Sequence, residues 1–349
     1  MKAARIVLPN EPLVISDVTV QDPTGTQVLV KIKAVGVCHS DLHLWEGGYD
    51  TGDGFMKVTD RGVKFPVIPG HEITGVIEKV GADVVGFSIG EKVLIYPWLG
   101  DDDCPTCKSG DTNLCENPKS LGVFQNGGYA QYINVSHYKH LAKLSGLDLE
   151  EATSLACSGL TAYTAIKKAC VNKPKVIIII GAGGLGLMGI QIAKATSSAK
   201  IICVDLSNEK LEIAKNVGAD VVINSKESDA IKEIMNITNN KGVDSIIDFV
   251  NGPPTVKMGL ALLRKRGNLV LVGLFGGSVD LSLVTIPLKS ITIQGAYTGS
   301  YEDMIKLLDL AKKGVVKPLI SKRYSLNEVN TALNDLKDRK IIGRAVINP

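Results

Sequence analysis

The strongest structural signal in the sequence is an apolar run that stops at a cluster of glycines. The run "KVIIII" at 175–180 is apolar on both faces, as expected of a parallel strand buried on both sides of a sheet. The following segment, "GAGGLGLMGIQIAKATS" at 181–197, places Leu185, Met188 and Ile192 at helical spacing. A buried strand, a glycine turn and a helix in immediate succession predict the start of a βαβ unit.

The chain beyond this turn continues to alternate between strand-like and helix-like segments. The runs "AKIICVD", "DVVI", "DSIIDFV" and "NLVLVG" are short and apolar, and helical segments separate them. Such alternation predicts a parallel sheet that is covered by helices on both faces, in the doubly wound manner.

The N-terminal part of the chain has a different texture. Up to about residue 155, short β-branched runs such as "QVLVKIKAVGV" and "EITGVIEKVG" are broken often by glycine and proline. This pattern predicts an irregular, strand-rich domain. After "ITIQGAY", a helix at about 301–313 and a last segment, "RKIIGRAVINP", remain. A length of 349 residues suits two domains of this kind.

Charge and cysteine content exclude several classes of protein. The 39 basic and 36 acidic residues are scattered together, so we expect no nucleic-acid partner. No stretch approaches the ~20 apolar residues that span a bilayer, and the N-terminus does not resemble a signal peptide. Seven cysteines in such a chain favour thiols and metal ligands in the cytoplasm over disulfides. Cys170 and Cys203 lie in apolar settings and are expected to be buried core thiols.

Three glycines match the pattern of a dinucleotide-binding turn. Gly181, Gly183 and Gly186 form G-x-G-x-x-G directly after a strand and at the opening of a helix. The first glycine would permit a tight turn, and the second would let the backbone approach a pyrophosphate. The third would let the helix pack close to the strand. The alternative is a flavodoxin-like sheet whose glycine turn binds no dinucleotide.

Asp205 indicates which dinucleotide is bound. It ends the second strand, 19 residues after Gly186, where a carboxylate would accept hydrogen bonds from the adenosine ribose. A 2′-phosphate would face a like charge there, and no arginine follows in "DLSNEK". We therefore expect NAD rather than NADP.

Cysteine and histidine recur in three separate segments of the chain. Cys38 lies in "GVCHSDLH", His71 lies beside Glu72 in "PGHEITG", and Cys157 lies in "LACSGLTAY". Taken singly, each is more often a core residue than a metal ligand. Together they supply the three thiol and imidazole ligands of a catalytic zinc ion, which leaves one coordination position open.

A second group of cysteines lies in "DDDCPTCKSGDTNLCEN" at 101–117. Cys104, Cys107 and Cys115 are spaced as in a zinc loop, but a closed tetrahedral site needs four ligands. The three cysteines alone leave the fourth ligand unassigned. The alternative is a metal-free loop.

The segments as a set resemble the zinc-dependent medium-chain alcohol dehydrogenases. "GVCHSDLH", "GHE", the three-cysteine loop, "CSGLTAY" and "GAGGLG" follow in the order found in that family, over essentially the whole chain. Details such as "YPW" and "IIGR" are most similar to its archaeal members. The resemblance implies an α/β fold with a GroES-like, irregular β-rich catalytic domain at 1–155, completed by 296–349. It places a Rossmann domain at 156–295.

The same resemblance implies an activity. The chain would be a homo-oligomer, a homotetramer as in archaeal members, that uses NAD with one catalytic and one structural zinc ion per subunit. A zinc-bound alcohol would lose its proton and pass hydride to NAD, so that primary or secondary alcohols are oxidised reversibly to aldehydes or ketones. A polyol or sugar dehydrogenase is one rival interpretation, although many of those replace the third metal ligand by a carboxylate. A zinc-containing, NAD-binding protein without activity is the other.

The family's catalytic residues fall on seven positions of this chain. The zinc ligands match Cys38, His71 and Cys157, with Glu72 as an occasional or outer ligand. Asp41 matches the carboxylate that orients the zinc-bound histidine. The proton relay matches Ser40 and His43.

The family's cofactor contacts can be carried over in the same way. Gly184 and Leu185 complete the glycine turn, and Thr161 lies where the family contacts the nicotinamide. His39 stands where the family often has an arginine near the pyrophosphate, and Arg344 matches a second pyrophosphate contact. Lys210 matches a contact to the adenosine ribose.

The resemblance also answers the question of the fourth loop ligand. The family's four cysteines are spaced so that the first falls on Asp101, and a carboxylate is an acceptable zinc ligand. Asp102 and Asp103 are close enough to compete. Trp98, just before the loop, either lines the substrate cleft or packs between domains.

Overall fold

The N-terminal half of the chain folds into nine short strands and three helices. The computed structural model describes all 349 residues. The strands are β1 (Lys2–Arg5), β2 (Val14–Asp17), β3 (Val28–Val37), β4 (Gly48–Asp50), β5 (Phe55–Lys57), β6 (Glu72–Val80), β7 (Lys92–Ile95), β8 (Tyr132–Val135) and β9 (Leu141–Lys143). The helices are α1 (His39–Glu46), α2 (Pro105–Lys108) and α3 (Leu149–Thr153).

The middle of the chain alternates between helix and strand, as its sequence predicts. The helices are α4 (Ser158–Ala169), α5 (Gly184–Thr196), α6 (Asn208–Asn216), α7 (Ala230–Ile237), α8 (Pro253–Leu262) and α9 (Thr285–Lys289). The strands are β10 (Val176–Ile180), β11 (Lys200–Asp205), β12 (Val221–Asn224), β13 (Val243–Asp248), β14 (Leu263–Leu271) and β15 (Thr292–Gly295).

These six strands form one parallel sheet in the order β12-β11-β10-β13-β14-β15. The chain moves outward in one direction from β10 to β12, and then returns to the other side of β10 with β13. The order therefore reverses between β10 and β13, beside the glycine turn. Doubly wound sheets bind ligands at such a switch point.

The C-terminal segment returns to the N-terminal sheet. It contains α10 (Tyr301–Lys312), β16 (Ile320–Ser325), α11 (Val329–Lys337) and β17 (Arg344–Asn348). Strand β17 pairs antiparallel with β3, so that Ala345 lies opposite Val37, and β16 pairs parallel with β17. The resulting sheet runs β16-β17-β3-β6-β7-β9, with β8 added beside β3. The last strand thus completes the sheet that carries Cys38 at the end of β3.

The core explains why the run before the glycine turn has no polar face. Ile177 and Ile179 belong to the large core that extends into the N-terminal domain, whereas Ile178 and Ile180 belong to a second core on the opposite face. Successive residues of a strand point to opposite sides of the sheet. Both sides are covered by helices here, so both must be apolar.

The two cysteines expected in the core differ in burial. Cys203 is buried in β11, as predicted, but the prediction was wrong for Cys170, which is only half-buried because it caps the C-terminus of α4. No helix has the length and hydropathy needed to span a bilayer.

Candidate active site and cysteine loop

Cys38 is held in place by the start of helix α1. It is the N-cap residue, and its backbone N–H donates to Oδ2 of Asp41 at 3.0 Å in a capping box. The helix ends at Gly47, whose φ of 85° lies in the left-handed region that glycine adopts readily. Ser40 and His43, three positions apart, lie on one face of this helix.

The Asp41 carboxylate also fixes the segment that carries His71. The residue is 1% exposed and accepts a hydrogen bond from Gly70 N–H at 3.1 Å and from the Tyr129 hydroxyl at 3.0 Å. Its Oδ1 lies 3.2 Å from Nδ1 of His71, although the atoms are not aligned as a hydrogen bond. Gly70 has a φ of 87°, and a Cβ there would lie 2.4 Å from the Tyr129 ring. The expected orienting carboxylate therefore lies beside the expected histidine.

Four predicted residues meet in a buried cluster. The ligand atoms of Cys38, His71, Glu72 and Cys157 all lie within 4.8 Å of one another. The two Sγ atoms are 3.9 Å apart, far beyond the ~2.05 Å of a disulfide bond. Nε2 of His71 is buried and has no partner in the protein. Two thiols and a free imidazole nitrogen form a donor set that fits zinc.

The electrostatics of the cluster favour a cation. The hydrogen bond from Cys157, aided by Arg344 and His71, holds the pKa of Cys38 well below its ordinary value despite burial. The same hydrogen bond and burial raise the pKa of Cys157. Burial lowers the pKa of His71, but Asp41 and Cys38 outweigh it and raise that pKa to about 10. A buried thiolate near a buried carboxylate is stabilised by positive charge.

Glu72 makes a contact that the sequence did not reveal. Its Oε1 accepts a hydrogen bond from the Arg344 guanidinium, and both side chains are almost fully buried. Arg344 crosses the glycine turn, because a Cβ on Gly184 would lie 2.5 Å from its Cδ. Arg344 therefore lies at the turn, as expected of a cofactor contact, and joins it to the metal-ligand cluster.

Helix α4 positions the third thiol and Thr161. Cys157 is the N-cap residue of α4, and its carbonyl accepts a hydrogen bond from Thr161 N–H at 2.7 Å. Trp98 is 2% exposed, its ring centroid lies 5.2 Å from that of His71, and its Nε1–H donates to the Ala156 carbonyl at 2.9 Å. Trp98 therefore packs beside the metal-ligand cluster, a position that fits both interpretations.

The glycine turn has the geometry that its sequence pattern predicts. Gly181 has a φ of 94°, and a Cβ on Gly186 would lie 1.8 Å from the Gly181 carbonyl oxygen. No atom lies within 4 Å of the point that a Cβ on Gly183 would occupy. Open space at the N-terminus of α5 suits a pyrophosphate. The half-buried Leu185 follows in the first turn of the helix.

Asp205 lies at the end of β11 beside this turn. Its Oδ2 accepts from Ala182 N–H at 2.7 Å, and its Oδ1 accepts from Leu206 N–H at 2.7 Å and Ser207 N–H at 3.0 Å. The carboxylate is therefore fixed in position, and Oδ2, which accepts only one hydrogen bond, keeps a lone pair for a further donor.

Basic residues gather around the turn. Desolvation lowers the pKa of His39, although its ring still reaches solvent, and the charges of Arg344, His43 and Lys210 lower it further against the effect of Cys38. These residues come from α1, β17 and α6. Arg344 and Lys210 thus both lie within electrostatic reach of His39, and the combined positive potential would attract phosphate groups.

The second cysteine group forms its own cluster. The ligand atoms of Asp101, Cys104, Cys107 and Cys115 lie within 4.8 Å of one another. Backbone N–H groups donate to the sulfur atoms, from Cys107 to Cys104 at 3.4 Å and from Asp101 to Cys115 at 3.3 Å. Donation of this kind stabilises thiolates, the form that binds metal. Three sulfurs and a carboxylate again fit zinc.

The structure separates the three aspartates of this loop. Asp101 accepts hydrogen bonds from Cys104 N–H at 3.1 Å and from the Asn117 side chain at 3.0 Å, and these hold its pKa far below the ordinary value. Asp102 instead forms an ion pair with Lys139 at 2.7 Å, and Asp103 is exposed. Only Asp101 belongs to the cluster.

The chain matches two family domains. Residues 24–146 match the alcohol dehydrogenase GroES-like domain, and residues 184–313 match the zinc-binding dehydrogenase domain. It is 44% identical to NAD-dependent alcohol dehydrogenases of Sulfurisphaera tokodaii and Saccharolobus solfataricus. Each alignment spans 350 positions and covers 100% of this chain and 100% of the relative. The crystal structure of the alcohol dehydrogenase from Aeropyrum pernix is 33% identical and superposes with a TM-score of 0.91 over 100% of both chains. The chain belongs to the zinc-dependent medium-chain alcohol dehydrogenases.

Family membership and the two-domain α/β fold predicted from the sequence are thereby confirmed. The GroES-like match contains Cys38, His71 and the cysteine loop, and the zinc-binding dehydrogenase match contains Asp205. Cys157 and Gly181 lie between the two matched segments, so their placement rests on the geometry described above.

Proposed function

We propose that the protein is an NAD-dependent alcohol dehydrogenase that interconverts primary or secondary alcohols with aldehydes or ketones. The observation that carries this proposal is the buried cluster of two thiols and the unpartnered Nε2 of His71, next to a dinucleotide-type glycine turn. The names of the relatives that are 44% identical support it.

Cys38, His71 and Cys157 would hold the catalytic zinc, with Asp41 orienting the His71 ring and Glu72 behind the ligands. Gly181, Gly183 and Gly186 would receive the NAD pyrophosphate, with His39 and Arg344 beside it. Asp205 and Lys210 would contact the adenosine ribose, and Thr161 the nicotinamide side. Bound zinc supplies Lewis acidity that makes a substrate hydroxyl more acidic, and bound NAD supplies the hydride acceptor.

The cofactor assignment and the reaction can be tested together. The purified protein is supplied with primary and secondary alcohols and either NAD or NADP, and reduced nicotinamide is followed by absorbance. We expect kcat/KM for NAD to exceed that for NADP by at least about tenfold, because Asp205 repels a 2′-phosphate.

Asp205→Asn should lower the ratio of kcat/KM for NAD to kcat/KM for NADP. Glu209→Gln, which removes an exposed acid from the first turn of α6, should leave that ratio unchanged. Equal kcat/KM values in the wild type would contradict the cofactor assignment. Absence of turnover with every alcohol would contradict the reaction itself.

Ser40 and His43 would carry the substrate proton to solvent. Burial lowers the pKa of His43 below the ordinary value of 6.5, while Glu46 and Cys38 oppose this. The neutral ring, which is the form that accepts a proton, therefore persists to lower pH than in an exposed histidine. As the pH is lowered, the rate of alcohol oxidation by the wild type should stay constant until the pH falls below the lowered pKa of His43.

His43→Ala should slow alcohol oxidation by about 10²-fold, the low end for acid–base groups, because solvent can replace the last member of a relay. The difference from wild type should be largest just below neutral pH, and imidazole added to the buffer should restore part of the rate. A variant with wild-type rates across the pH range would show that His43 is no relay.

The cysteine loop would hold a structural zinc through Asp101, Cys104, Cys107 and Cys115. We expect metal analysis to find a catalytic and a structural zinc in each wild-type chain, and Asp101→Ala to lose the loop zinc. The variant should be inactivated faster by heat and keep most activity at moderate temperature, because no reacting atom touches this loop.

Asp103→Ala is the matched control. It removes an exposed neighbouring carboxylate that forms no hydrogen bond or ion pair, at a position without a left-handed backbone, so both zinc ions and the heat resistance should be retained. If Asp101→Ala also keeps its full zinc content and heat resistance, another residue is the fourth ligand.

We also propose a cytoplasmic homotetramer. None of the seven cysteines forms a disulfide, which suits a reducing compartment. Strand β15 pairs only with β14 and leaves an open edge, which proteins usually pair or cover. Next to it, Leu283, Val284 and Leu288 are 77%, 64% and 70% exposed, an apolar surface that suits a subunit contact.

Light scattering at micromolar concentration should give the mass of four chains. Leu288→Glu should shift the population to smaller species, whereas Val171→Glu, at a position 75% exposed on the turn after α4, should not. A monomeric wild type would contradict the assembly.

A further inference from the structure

Arg61 has no role in the machinery described so far. It ends the short 3₁₀ turn Val58–Arg61, which Gly62 closes with a φ of 91°. Arg264, Arg323 and Arg344 each pair with a carboxylate of the chain, whereas Arg61 is exposed and pairs with none. Its guanidinium carbon lies 5.6 Å from the centroid of the Tyr49 ring. A cation fixed in this way is free to bind an anion.

Two rows of rings connect Arg61 with the cluster of metal ligands. The Tyr49 ring lies 4.9 Å from that of His43 on α1. Tyr297 follows β15 and lies 6.0 Å from Trp98, which itself lies 5.2 Å from His71. Arg61 is therefore on the side of the cluster that carries the expected proton relay.

The hydroxyls of these two tyrosines form no hydrogen bond to a carbonyl or carboxylate of the chain. Those of Tyr96, Tyr129 and Tyr301 donate inside the protein, whereas those of Tyr49 and Tyr297 lie near the Arg61 guanidinium.

The pKa values of the two phenols reflect the same arrangement. Burial raises the pKa of both, and Arg61 opposes the rise. The cluster thiols raise these pKa values further: Cys38 raises that of Tyr49, and Cys157 raises that of Tyr297. Both phenols therefore lie within electrostatic reach of the cluster as well as of Arg61.

We propose that Arg61, together with the Tyr49 and Tyr297 hydroxyls, binds the carboxylate end of a substrate whose alcohol or carbonyl end lies at the Cys38–His71–Cys157 cluster. A guanidinium recognises a carboxylate through two parallel hydrogen bonds, and a phenol O–H is a further donor. The inference rests on the proposed alcohol dehydrogenase reaction and names its substrate class, alcohols and aldehydes that carry a carboxylate.

The experiment compares substrates that differ only in the anion. The zinc- and NAD-loaded enzyme is assayed with benzyl alcohol against 4-(hydroxymethyl)benzoate, and with 1-hexanol against 6-hydroxyhexanoate. The quantity of interest is the ratio of kcat/KM for the carboxylate-bearing alcohol to that for the neutral one. Binding of 6-hydroxyhexanoate is measured separately by calorimetry.

Arg61→Gln should lower this ratio by about 10- to 100-fold, with the neutral alcohols little affected, because charge-assisted hydrogen bonds are lost. The affinity for 6-hydroxyhexanoate should fall by a similar factor. The substrate ratio and the affinity of Arg61→Lys should lie between those of the wild type and of Arg61→Gln, since lysine keeps the charge but not the paired donors. The position is exposed, so these variants should fold normally.

Lys64→Gln is the matched control, because it removes an exposed positive charge only three positions away. It should change the ratio by less than about twofold, since screened surface charges act weakly. If Lys64→Gln and Arg61→Gln lowered the substrate ratio equally, the carboxylate would be attracted by the general positive charge of this surface and not bound by Arg61. That result would overturn the inference.

An unchanged ratio and unchanged binding in Arg61→Gln, with neutral alcohols still oxidised, would overturn the inference and leave the proposed reaction in place. Arg61-dependent binding of 6-hydroxyhexanoate without turnover of any alcohol would support the carboxylate site and contradict the reaction. The two proposals therefore fail by different observations.

Discussion

The arrangement of the buried cluster depends on one carboxylate. Asp41 is 1% exposed and accepts hydrogen bonds from the Cys38 and Gly70 backbone N–H groups and from the Tyr129 hydroxyl. These donors come from three segments that are distant in sequence, so a single charge holds the start of α1, the His71 segment and Tyr129 together. A buried carboxylate is stable only when its acceptor sites are filled. Losing one donor would therefore loosen both Cys38 and His71.

A second buried charge connects the two domains. Arg344 is the first residue of β17, which completes the N-terminal sheet, and its side chain crosses Gly184 in the glycine turn to reach Glu72. Breaking a buried ion pair by removing one partner typically costs ~3–5 kcal/mol, because the other charge is left uncompensated. The C-terminal strand, the cofactor turn and the metal-ligand cluster are therefore expected to respond together to changes at Arg344.

The sequence reveals those parts of the site that local patterns determine. The glycine turn follows from the order of strand, glycines and helix, and Asp205 from its place at the end of the next strand. Cys38, His71 and Cys157 lie far apart in the chain, so their grouping needed the family resemblance. The pairs Tyr129–Asp41 and Arg344–Glu72 were missed because 88 and 272 residues separate their members, and neither leaves a local pattern. Burial of Cys170 was overestimated because an apolar neighbourhood in sequence does not distinguish a helix end from a core position.

The two cysteine-containing clusters use similar ligands but suit different tasks. In the loop, three sulfurs and the Asp101 carboxylate supply four donors, and a Cβ on Gly100 would lie 2.4 Å from the Cys107 sulfur, so the set is closed and crowded. In the buried cluster the fourth residue is Glu72, but its Oε1 is occupied by Arg344 and by Ser158 N–H at 3.3 Å. Its Oε2 is buried and has no partner in the protein, but the charge of the carboxylate is shared with Arg344. A catalytic zinc needs three protein ligands and one open position, whereas a structural zinc needs four ligands. Because the ion pair with Arg344 already offsets the Glu72 charge, it favours Cys38, His71 and Cys157 as the three ligands of an open site, and Asp101 favours a closed site in the loop.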